Sequence, residues 1–258
     1  AVKLKNITKT FGSVVANEDI NMSIYNGEIL ALLGENGSGK TTLMNMLSGI
    51  YYPDEGKIFI NGKEELIASP KDSFRLGIGM VHQHFKLIDV LSATENIILG
   101  LEGKLNLKEA SIKIKEICDK YGFDVDPDKK IYDMSVSEKQ TVEIVKVLYR
   151  GASILILDEP TAVLTPQETE KLFNVLRNMR DDGKAIVIIT HKMHEVLSLS
   201  DRVAVLRKGK YVGDMITKET TVQQMTDMMV GHAVSLNIER PEPVNPKKRL
   251  EVKNLTVR

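Results

Sequence analysis

The chain has 258 residues, enough to bury a sizeable core in one large domain or two small ones. Its 35 basic and 35 acidic residues give a formal net charge of zero, so bulk charge does not favour binding to nucleic acid. The single cysteine, Cys118, excludes an internal disulfide, and no apolar run approaches the ~20 residues of a membrane span. We therefore expect a protein of a reducing compartment that contacts any membrane partner from outside the bilayer, with Cys118 in a helix core.

The first third of the chain carries strand patterns and one Gly-rich stretch. The elements predicted here are strands at VKLKNITKTF (2–11), DINMSIYNGE (19–28), EILALLG (28–34), KIFINGK (57–63) and GIGMVHQ (77–83), and a helix at LMNMLSGI (43–50). The continuous apolar run of 28–34 is typical of a buried parallel strand. It leads directly into GENGSGKTT (34–42), which therefore lies between a strand and a helix.

The remaining two thirds switch from helical to alternating patterns. Residues 92 to 150 are helical and charged, and then buried strands alternate with helices. The predicted strands are SILILDEP (153–160) and KAIVIITH (184–191), the helices are 167–183 and 192–200, and DRVAVLRKGKYVGDM (201–215) is a hairpin. Strands alternating with helices predict an α/β fold with a mainly parallel sheet, interrupted by a helical subdomain at about 85–150.

The stretch GENGSGKT (34–41) matches the phosphate-loop pattern G-x-x-x-x-G-K-[ST] in the strand–helix context that this pattern requires. Its glycines allow backbone N–H groups to curve around phosphates, and the following helix adds the positive end of its dipole. We expect Lys40 to reach the outer phosphates, Thr41 to bind Mg²⁺ and Thr42 to add a phosphate hydrogen bond. The predicted nucleotide-binding residues of this loop are Gly34, Asn36, Gly37, Ser38, Gly39, Lys40, Thr41 and Thr42.

A second motif, ILILDEP (154–160), places two acids at the end of a buried strand. Because α/β sheets bind ligands at the C-terminal ends of their strands, both carboxylates are expected in the same site as the phosphate loop. Asp158 is predicted to hold Mg²⁺ through water, and Glu159 to orient or deprotonate an attacking water. Together the two motifs predict a P-loop nucleotidase.

A third motif, MSVSEKQTVEI (134–144), precedes the acidic strand and resembles the LSGGQ signature of the ATPase domain of ABC transporters. The resemblance covers residues 1–232 and implies a P-loop NTPase with a RecA-like core sheet, an antiparallel β subdomain and an inserted helical subdomain. It implies that Ser135 contacts ATP bound by a partner domain. It also implies that Gln83 contacts Mg²⁺, that His191 contacts the γ-phosphate, and that Phe11 stacks on adenine.

Other positions follow from the same resemblance or depart from it. Val15 is expected to flank the base, and Lys40 to share the catalytic role with Glu159 and His191. Ser137 replaces a signature glycine, so a crowded phosphate or a strained backbone is expected there; by itself it is also a candidate helix N-cap. Thr165 occupies a position that is aspartate in many relatives.

The segments PTAVLTPQE, GMVHQHF and KVLYRGA resemble the importer branch that serves nucleosides and simple sugars, usually with two ATPase domains in one polypeptide. The resemblance implies an ATP- and Mg²⁺-dependent ATPase, peripheral at the cytoplasmic face of the membrane. Its implied partners are permease subunits, a second ATPase domain and, indirectly, an extracytoplasmic solute-binding protein, without nucleic acid. The alternatives are a domain that binds ATP as a regulatory or structural module, and a non-transport ABC ATPase.

The end of the chain predicts a change of domain. Residues 1–232 form the expected ATPase domain, and the polar, proline-rich residues 233–249 form a linker. RLEVKNLTVR (249–258) resembles VKLKNITKTF (2–11), with the same pattern of apolar positions. We expect 250–258 to be the first strand of a truncated second ATPase domain; the alternative is a C-terminal strand that completes the first.

Overall fold

A computed structural model describes residues 1–101, 103, 106–231, 251, 253 and 256 of the chain. The predicted linker at 233–249 lies outside these residues, and the predicted strand at 250–258 does so except for three isolated positions. In the described part, no helix combines the length and the apolar character that crossing a bilayer requires.

The core of the molecule is a six-stranded sheet in the order β10-β9-β3-β8-β7-β6. Its strands are β3 (Ile29–Leu33), β6 (Ile78–Val81), β7 (Ile154–Asp158), β8 (Ala185–Ile189), β9 (Arg202–Arg207) and β10 (Lys210–Ile216). All neighbours are parallel except the terminal hairpin of β9 and β10. The predicted mainly parallel sheet is thereby confirmed, and the fully buried strands β3, β7 and β8 match their continuous apolar runs.

A second sheet is antiparallel and has the order β2-β1-β4-β5. Its strands are β1 (Val2–Phe11), β2 (Val14–Ile24), β4 (Glu55–Ile60) and β5 (Lys63–Glu65). The strand predicted from residue 19 begins earlier, at Val14, because a tight turn at Gly12 pairs Phe11 directly with Val14. The predicted Asn-Gly turn joins β4 and β5, with Asn61 at φ 49° and Gly62 at φ 82°, as expected for a two-residue hairpin loop.

Eight α-helices lie within the described residues. They are α1 (Lys40–Leu47), α2 (Pro70–Arg75), α3 (Ala93–Ile98), α4 (Leu107–Tyr121), α5 (Val136–Tyr149), α6 (Pro166–Asp181), α7 (Met193–Leu199) and α8 (Val222–Val230). Helices α3, α4 and α5 share an apolar cluster of their own, which includes Cys118. They occupy the segment for which the sequence predicts a helical subdomain.

Helix α1 packs between the two sheets. Its buried side chains, among them Leu43, Met44 and Leu47, belong to one cluster with apolar residues of β1, β2, β3 and β4. Burial of each such side chain stabilises the fold by about 1.5–3 kcal/mol. The start of α1 is therefore held rigidly at the C-terminal end of β3, where the Gly-rich loop connects the two elements.

Candidate functional site

A cleft of about 810 Å³ opens at the C-terminal edge of the parallel strands. It brings together most of the residues predicted from separate motifs. Its lining consists of Val14, Val15, Ala16, Asn36, Gly37, Ser38, Gly39, Lys40, Thr41, Thr42, Gln83, Asp158, Glu159, Ala162, Ile189, His191, Lys208 and Gly209. The strand ends converge here because β3, β7 and β8 run in the same direction as neighbours.

The loop before α1 leaves the helix N-terminus open to a ligand. Its N-cap, Gly39, has φ 97° and provides no side-chain cap, whereas α3, α5, α6 and α8 each begin with a complete capping box. A side chain at Gly39 would also collide with the backbone oxygen of Ala16. The first N–H groups of α1 are therefore available to an anion such as phosphate.

The Lys40 side chain lies inside this loop and is only 7% exposed. Its ammonium donates hydrogen bonds to the carbonyl oxygens of Gly34 at 2.8 Å and Glu35 at 2.9 Å. Burial lowers the pKa of Lys40, while the charges of Glu159 and Asp158 act in the opposite direction. A desolvated lysine held beside two carboxylates is well placed to bind an anion that reaches the cleft.

Side-chain oxygens that could bind a divalent cation lie at the same end of α1. The Thr41 hydroxyl is 3.5 Å from Asp158 Oδ2, and Gln83 follows β6 into the same cleft. Burial, and then the charge of Glu159, raise the pKa of Asp158. Within the described residues no group of three His, Cys, Asp or Glu side chains could hold a metal by itself. A hydroxyl, an amide and one carboxylate fit Mg²⁺, whose remaining coordination positions are commonly filled by substrate phosphates and water.

Glu159 and His191 form a pair at the other side of the cleft. Glu159 Oε1 lies 2.8 Å from His191 Nδ1, across a loop that follows β7 and a loop that follows β8. Glu159 has a left-handed backbone with φ 50°, which is held by a hydrogen bond from its N–H to the Ile189 carbonyl at 2.9 Å. Such a conformation costs roughly 1–2 kcal/mol, and strained positions of this kind cluster at functional sites.

The β9–β10 turn supports the phosphate loop and was missed from the sequence. Gly209 N–H donates to the Ser38 carbonyl at 3.1 Å, and the Gly209 carbonyl accepts from Glu18 N–H at 2.8 Å. Lys208 in the same turn lines the cleft. The only signal was the pattern RKGK in a predicted hairpin, and nothing in that local pattern indicates that the turn folds back onto the distant loop.

Three predicted residues do not line this cleft: Phe11, Gly34 and Ser135. Gly34 contributes through its carbonyl, which accepts from Lys40. Phe11 lies at the tip of the β1–β2 hairpin, opposite the cleft residue Val14, and is 42% exposed. Ser135 lies in a different place, on the helical segment.

The signature segment forms the start of α5 and one wall of a second cleft of about 570 Å³. Ser135 is the N-cap: its hydroxyl accepts from Glu138 N–H at 3.2 Å, and Glu138 in turn accepts from Ser135 N–H at 2.7 Å. The candidate N-cap Ser137 is thus wrong by two positions. Ser137 lies within the helix with ordinary negative φ, so the backbone strain expected from its loss of glycine does not arise.

The loop after Glu159 connects the two clefts. Gln140 of α5 donates from Nε2 to the Pro160 carbonyl at 2.5 Å. Thr165 is the N-cap of α6 and forms a capping box with Glu168. Bonds from Thr165, with a smaller contribution from the Ser137 hydroxyl, lower the pKa of Glu168. Thr165 therefore has a local structural role at the start of α6, and the Ser137 hydroxyl acts on the same carboxylate, Glu168.

Known proteins resemble this chain closely. It is 47% identical over 261 residues to the nucleoside import ATP-binding protein NupA of Lactococcus lactis, with 100% of the chain and 52% of the relative covered. It is 44% identical over 261 residues to the guanosine import ATP-binding protein NupO of Bacillus subtilis, with 100% of the chain and 51% of the relative covered. The chain thus spans about half the length of these relatives.

Solved structures of ABC transporter proteins are similar to this chain as well. The cbiO1 protein of Clostridium perfringens, part of the ABC transporter complex cbiONQ, is 29% identical with a TM-score of 0.76 over 89% of this chain and 94% of that one. A dimeric bacterial ABC transporter cassette is 26% identical, with a TM-score of 0.74 and coverage of 85% and 100%. The sequence profile of ABC transporters matches residues 17–162, which include the phosphate loop, the signature segment and the acidic strand end. The chain belongs to the ABC transporter family, with the P-loop fold of its ATP-binding cassettes.

Proposed function

We propose that this chain binds ATP with Mg²⁺ and hydrolyses it to power the import of a nucleoside or a simple sugar. The observation that carries the proposal is the 2.8 Å contact between Glu159 and His191 in the cleft that also holds Lys40 and the open start of α1. An anion-binding loop, oxygen ligands for Mg²⁺ and a general base lie within one site. These are the parts that hydrolysis of a nucleoside triphosphate requires.

The roles of the side chains follow from their chemistry. An ionised Glu159 accepts hydrogen bonds only, so the proton of its contact with His191 lies on Nδ1. This bond orients both groups, and Glu159 is then positioned to take a proton from an attacking water. Lys40 and the α1 N–H groups bind and stabilise the charge of the phosphates. Thr41, Asp158 and Gln83 would hold Mg²⁺, which would neutralise charge on the phosphate oxygens.

The proposed site is composite and needs a second ATPase domain. Ser135 lies outside the Lys40 cleft, which supports a role on ATP held by another domain. The relatives are about twice as long as this chain, which supports a tandem arrangement. We accordingly propose residues 1–232 as the first ATPase domain, 233–249 as a linker and 250–258 as the start of the next.

The proposed partners are membrane permease subunits at the cytoplasmic face and, indirectly, an extracytoplasmic solute-binding protein. The names of the relatives support the solute class: nucleoside, guanosine and ribose import. A nucleoside is our first choice and a pentose the second, because the two relatives with the higher identity are named for nucleosides. Uptake of labelled guanosine and ribose by the reconstituted transporter distinguishes the two.

The test of the hydrolytic function is the substitution Glu159→Gln in the complete transporter. Steady-state ATPase activity should fall by about 10²- to 10⁴-fold, the usual contribution of a general base, while ATP affinity is retained. Unchanged turnover would show that Glu159 is not the base. If the unaltered transporter binds ATP but shows no turnover under any condition, the domain is a regulatory or structural module instead.

A matched pair of histidines provides the control. His191→Ala should also reduce turnover, because it removes the group that orients Glu159. His194→Ala, three positions along the chain and also exposed, should leave turnover unchanged. Equal losses in both variants would indicate that histidine replacement disturbs α7 rather than the reacting groups.

A further inference from the structure

The loop that follows α1 contacts the strand end that carries Phe11. The Tyr51 ring lies 5.1 Å from the Phe11 ring, centroid to centroid, with the planes inclined at 70°. This edge-to-face arrangement is a favoured geometry of aromatic pairs. Phe11 remains 42% exposed and Tyr51 37% exposed, so the pair stands at the surface with part of the Phe11 ring still open to a ligand.

The same loop binds the backbone next to Phe11 through one carboxylate. Asp54 accepts the Thr10 N–H at 2.7 Å, the Thr10 hydroxyl at 2.8 Å and the Lys9 ammonium at 2.7 Å. Its own N–H donates to the Thr8 carbonyl at 2.9 Å. The hydrogen bond from Lys9, followed by that from the Thr10 backbone, lowers the pKa of Asp54 to about 2. The carboxylate is therefore ionised at physiological pH and can accept from all three groups.

This loop connects the helix that begins at the phosphate loop with the aromatic pair. Helix α1 begins at Lys40 in the phosphate loop and ends at Leu47, and the chain then reaches Tyr51 and Asp54 within a few residues. Phe11 is paired with Val14, which lines the cleft. One short segment thus links the helix proposed to bind the phosphates to Phe11, the ring that the family resemblance implies stacks on the base.

We propose that Tyr51 and Asp54 are positioning residues of the nucleobase site, which hold the Phe11 ring in the orientation that stacks on the base of a nucleoside triphosphate. This inference rests on the proposed function, because it takes the phosphates to lie at Lys40. Neither residue needs to contact the ligand. Tyr51 fixes the tilt of the ring by its edge-to-face contact, and Asp54 fixes the strand end on which the ring stands.

The experiment compares two ligands that differ only in the presence of a nucleoside. The dissociation constants of ATP and of inorganic tripolyphosphate are measured by calorimetry on the chain carrying Tyr51→Ala. An edge-to-face contact corresponds to a factor of about 3 to 10, so ATP should bind that much more weakly. Tripolyphosphate should bind with unchanged affinity, because it uses only the phosphate loop.

Conservative and neighbouring variants complete the set. Tyr51→Phe keeps the ring and should retain the affinity for ATP. Tyr52→Ala removes the adjacent tyrosine, which is 51% exposed, and should change neither constant. Asp54→Ala should weaken ATP binding in the same ligand-selective manner as Tyr51→Ala, and serves as the second variant if one of them folds poorly.

A double substitution tests whether Tyr51 acts through Phe11. In the Phe11→Ala background, Tyr51→Ala should have no further effect on ATP, because the ring that it orients is absent. A full additional loss in that background, equal loss of ATP and tripolyphosphate binding, or no loss at all would each overturn the inference. If the unaltered chain binds neither ligand, the proposed nucleotide function itself fails, and that outcome is distinct from the others.

Discussion

The two helix starts at the centre of this molecule, at α1 and at α5, are built in opposite ways. Helix α1 begins at Gly39 without a side-chain cap, whereas α5 begins at Ser135 with a complete capping box. The open start of α1 leaves its N–H groups for a ligand, and it faces Asp158, Glu159 and His191 across one cleft. The capped start of α5 satisfies two of its own N–H groups and faces a separate cleft.

This difference shows how far each region is assembled from residues of this chain alone. Around α1, side chains from six segments of the chain line the same cleft. At α5, the Ser135 hydroxyl accepts one bond and still has its own proton to donate, but no group in the Lys40 cleft receives it. The first region thus brings its charged and polar side chains together within this chain, while the second presents a capped helix start that lies outside the Lys40 cleft.

The largest expected effect on binding affinity comes from removing the Lys40 ammonium of the first region. Lys40→Ala should weaken ATP binding to the isolated chain by about 10- to 100-fold, because a hydrogen-bonded charge contributes about 1.5–3 kcal/mol. Ser135→Ala, its counterpart at the second helix start, should leave that affinity unchanged. Calorimetric titration of both variants checks this, and equal losses would contradict the division between the two regions.

A smaller effect is expected for Thr41, the proposed metal ligand next to Lys40. Thr41→Val removes a hydroxyl that lies 3.5 Å from Asp158 while keeping the shape of the side chain. Affinity for ATP with Mg²⁺ should fall by about tenfold, the equivalent of one hydrogen bond, with little change when the metal is chelated. Titrations with and without chelator make each protein its own control. The same loss under both conditions would show that Thr41 binds phosphate and not the metal.

The pH dependence of stability should differ between a carboxylate in the cleft, Asp158, and a carboxylate outside it, Asp54. Burial raises the folded-state pKa of Asp158, so its contribution to stability is fully present below the unfolded pKa and is lost as pH rises through the folded pKa. Asp158→Asn should therefore be more stable than the unaltered chain at about pH 7, with the difference disappearing near pH 3.5. Urea unfolding at both pH values checks the sign.

Asp54 provides the matched control with the opposite sign. Its pKa is lowered to about 2 by Lys9 and Thr10, so its stabilising contribution is present above the unfolded pKa and is lost as pH falls towards the folded value. Asp54→Asn should therefore destabilise the chain near neutral pH, and its effect should shrink as pH falls from the unfolded pKa through about 2. The same sign for both substitutions would mean that burial does not govern Asp158.

The smallest effect concerns the departure from glycine in the second region. Ser137 lies in the first turn of α5 with helical angles, so Ser137→Gly should reduce the free energy of unfolding by roughly 0.5–1 kcal/mol. Denaturant unfolding detects a change of this size. A gain in stability, or a several-fold gain in ATPase turnover of the complete transporter, would show that serine is a handicap at this position after all.

The site was largely predictable because its residues follow local rules. The phosphate loop, the acidic strand end and the histidine each come directly after a buried strand, and parallel strands bring those ends together. The Asn-Gly hairpin at 61–62 was predictable for the same reason, since positive φ at both positions favours these residues. The early start of β2 was missed, because GSVVAN does not alternate clearly.

The sequence by itself determined the fold class, the phosphate loop and the positions of the buried strands along the chain, because apolar periodicity and glycine spacing act over a few residues. Only the tertiary structure decided which distant groups support the site. Three contacts join segments that are separated in the chain. They are the Gly209 turn on the phosphate loop, the hydrogen bond from Gln140 to Pro160, and the Tyr51–Asp54 loop beside Phe11. Such contacts depend on how the two sheets and α1 pack against each other, and no local pattern encodes that packing.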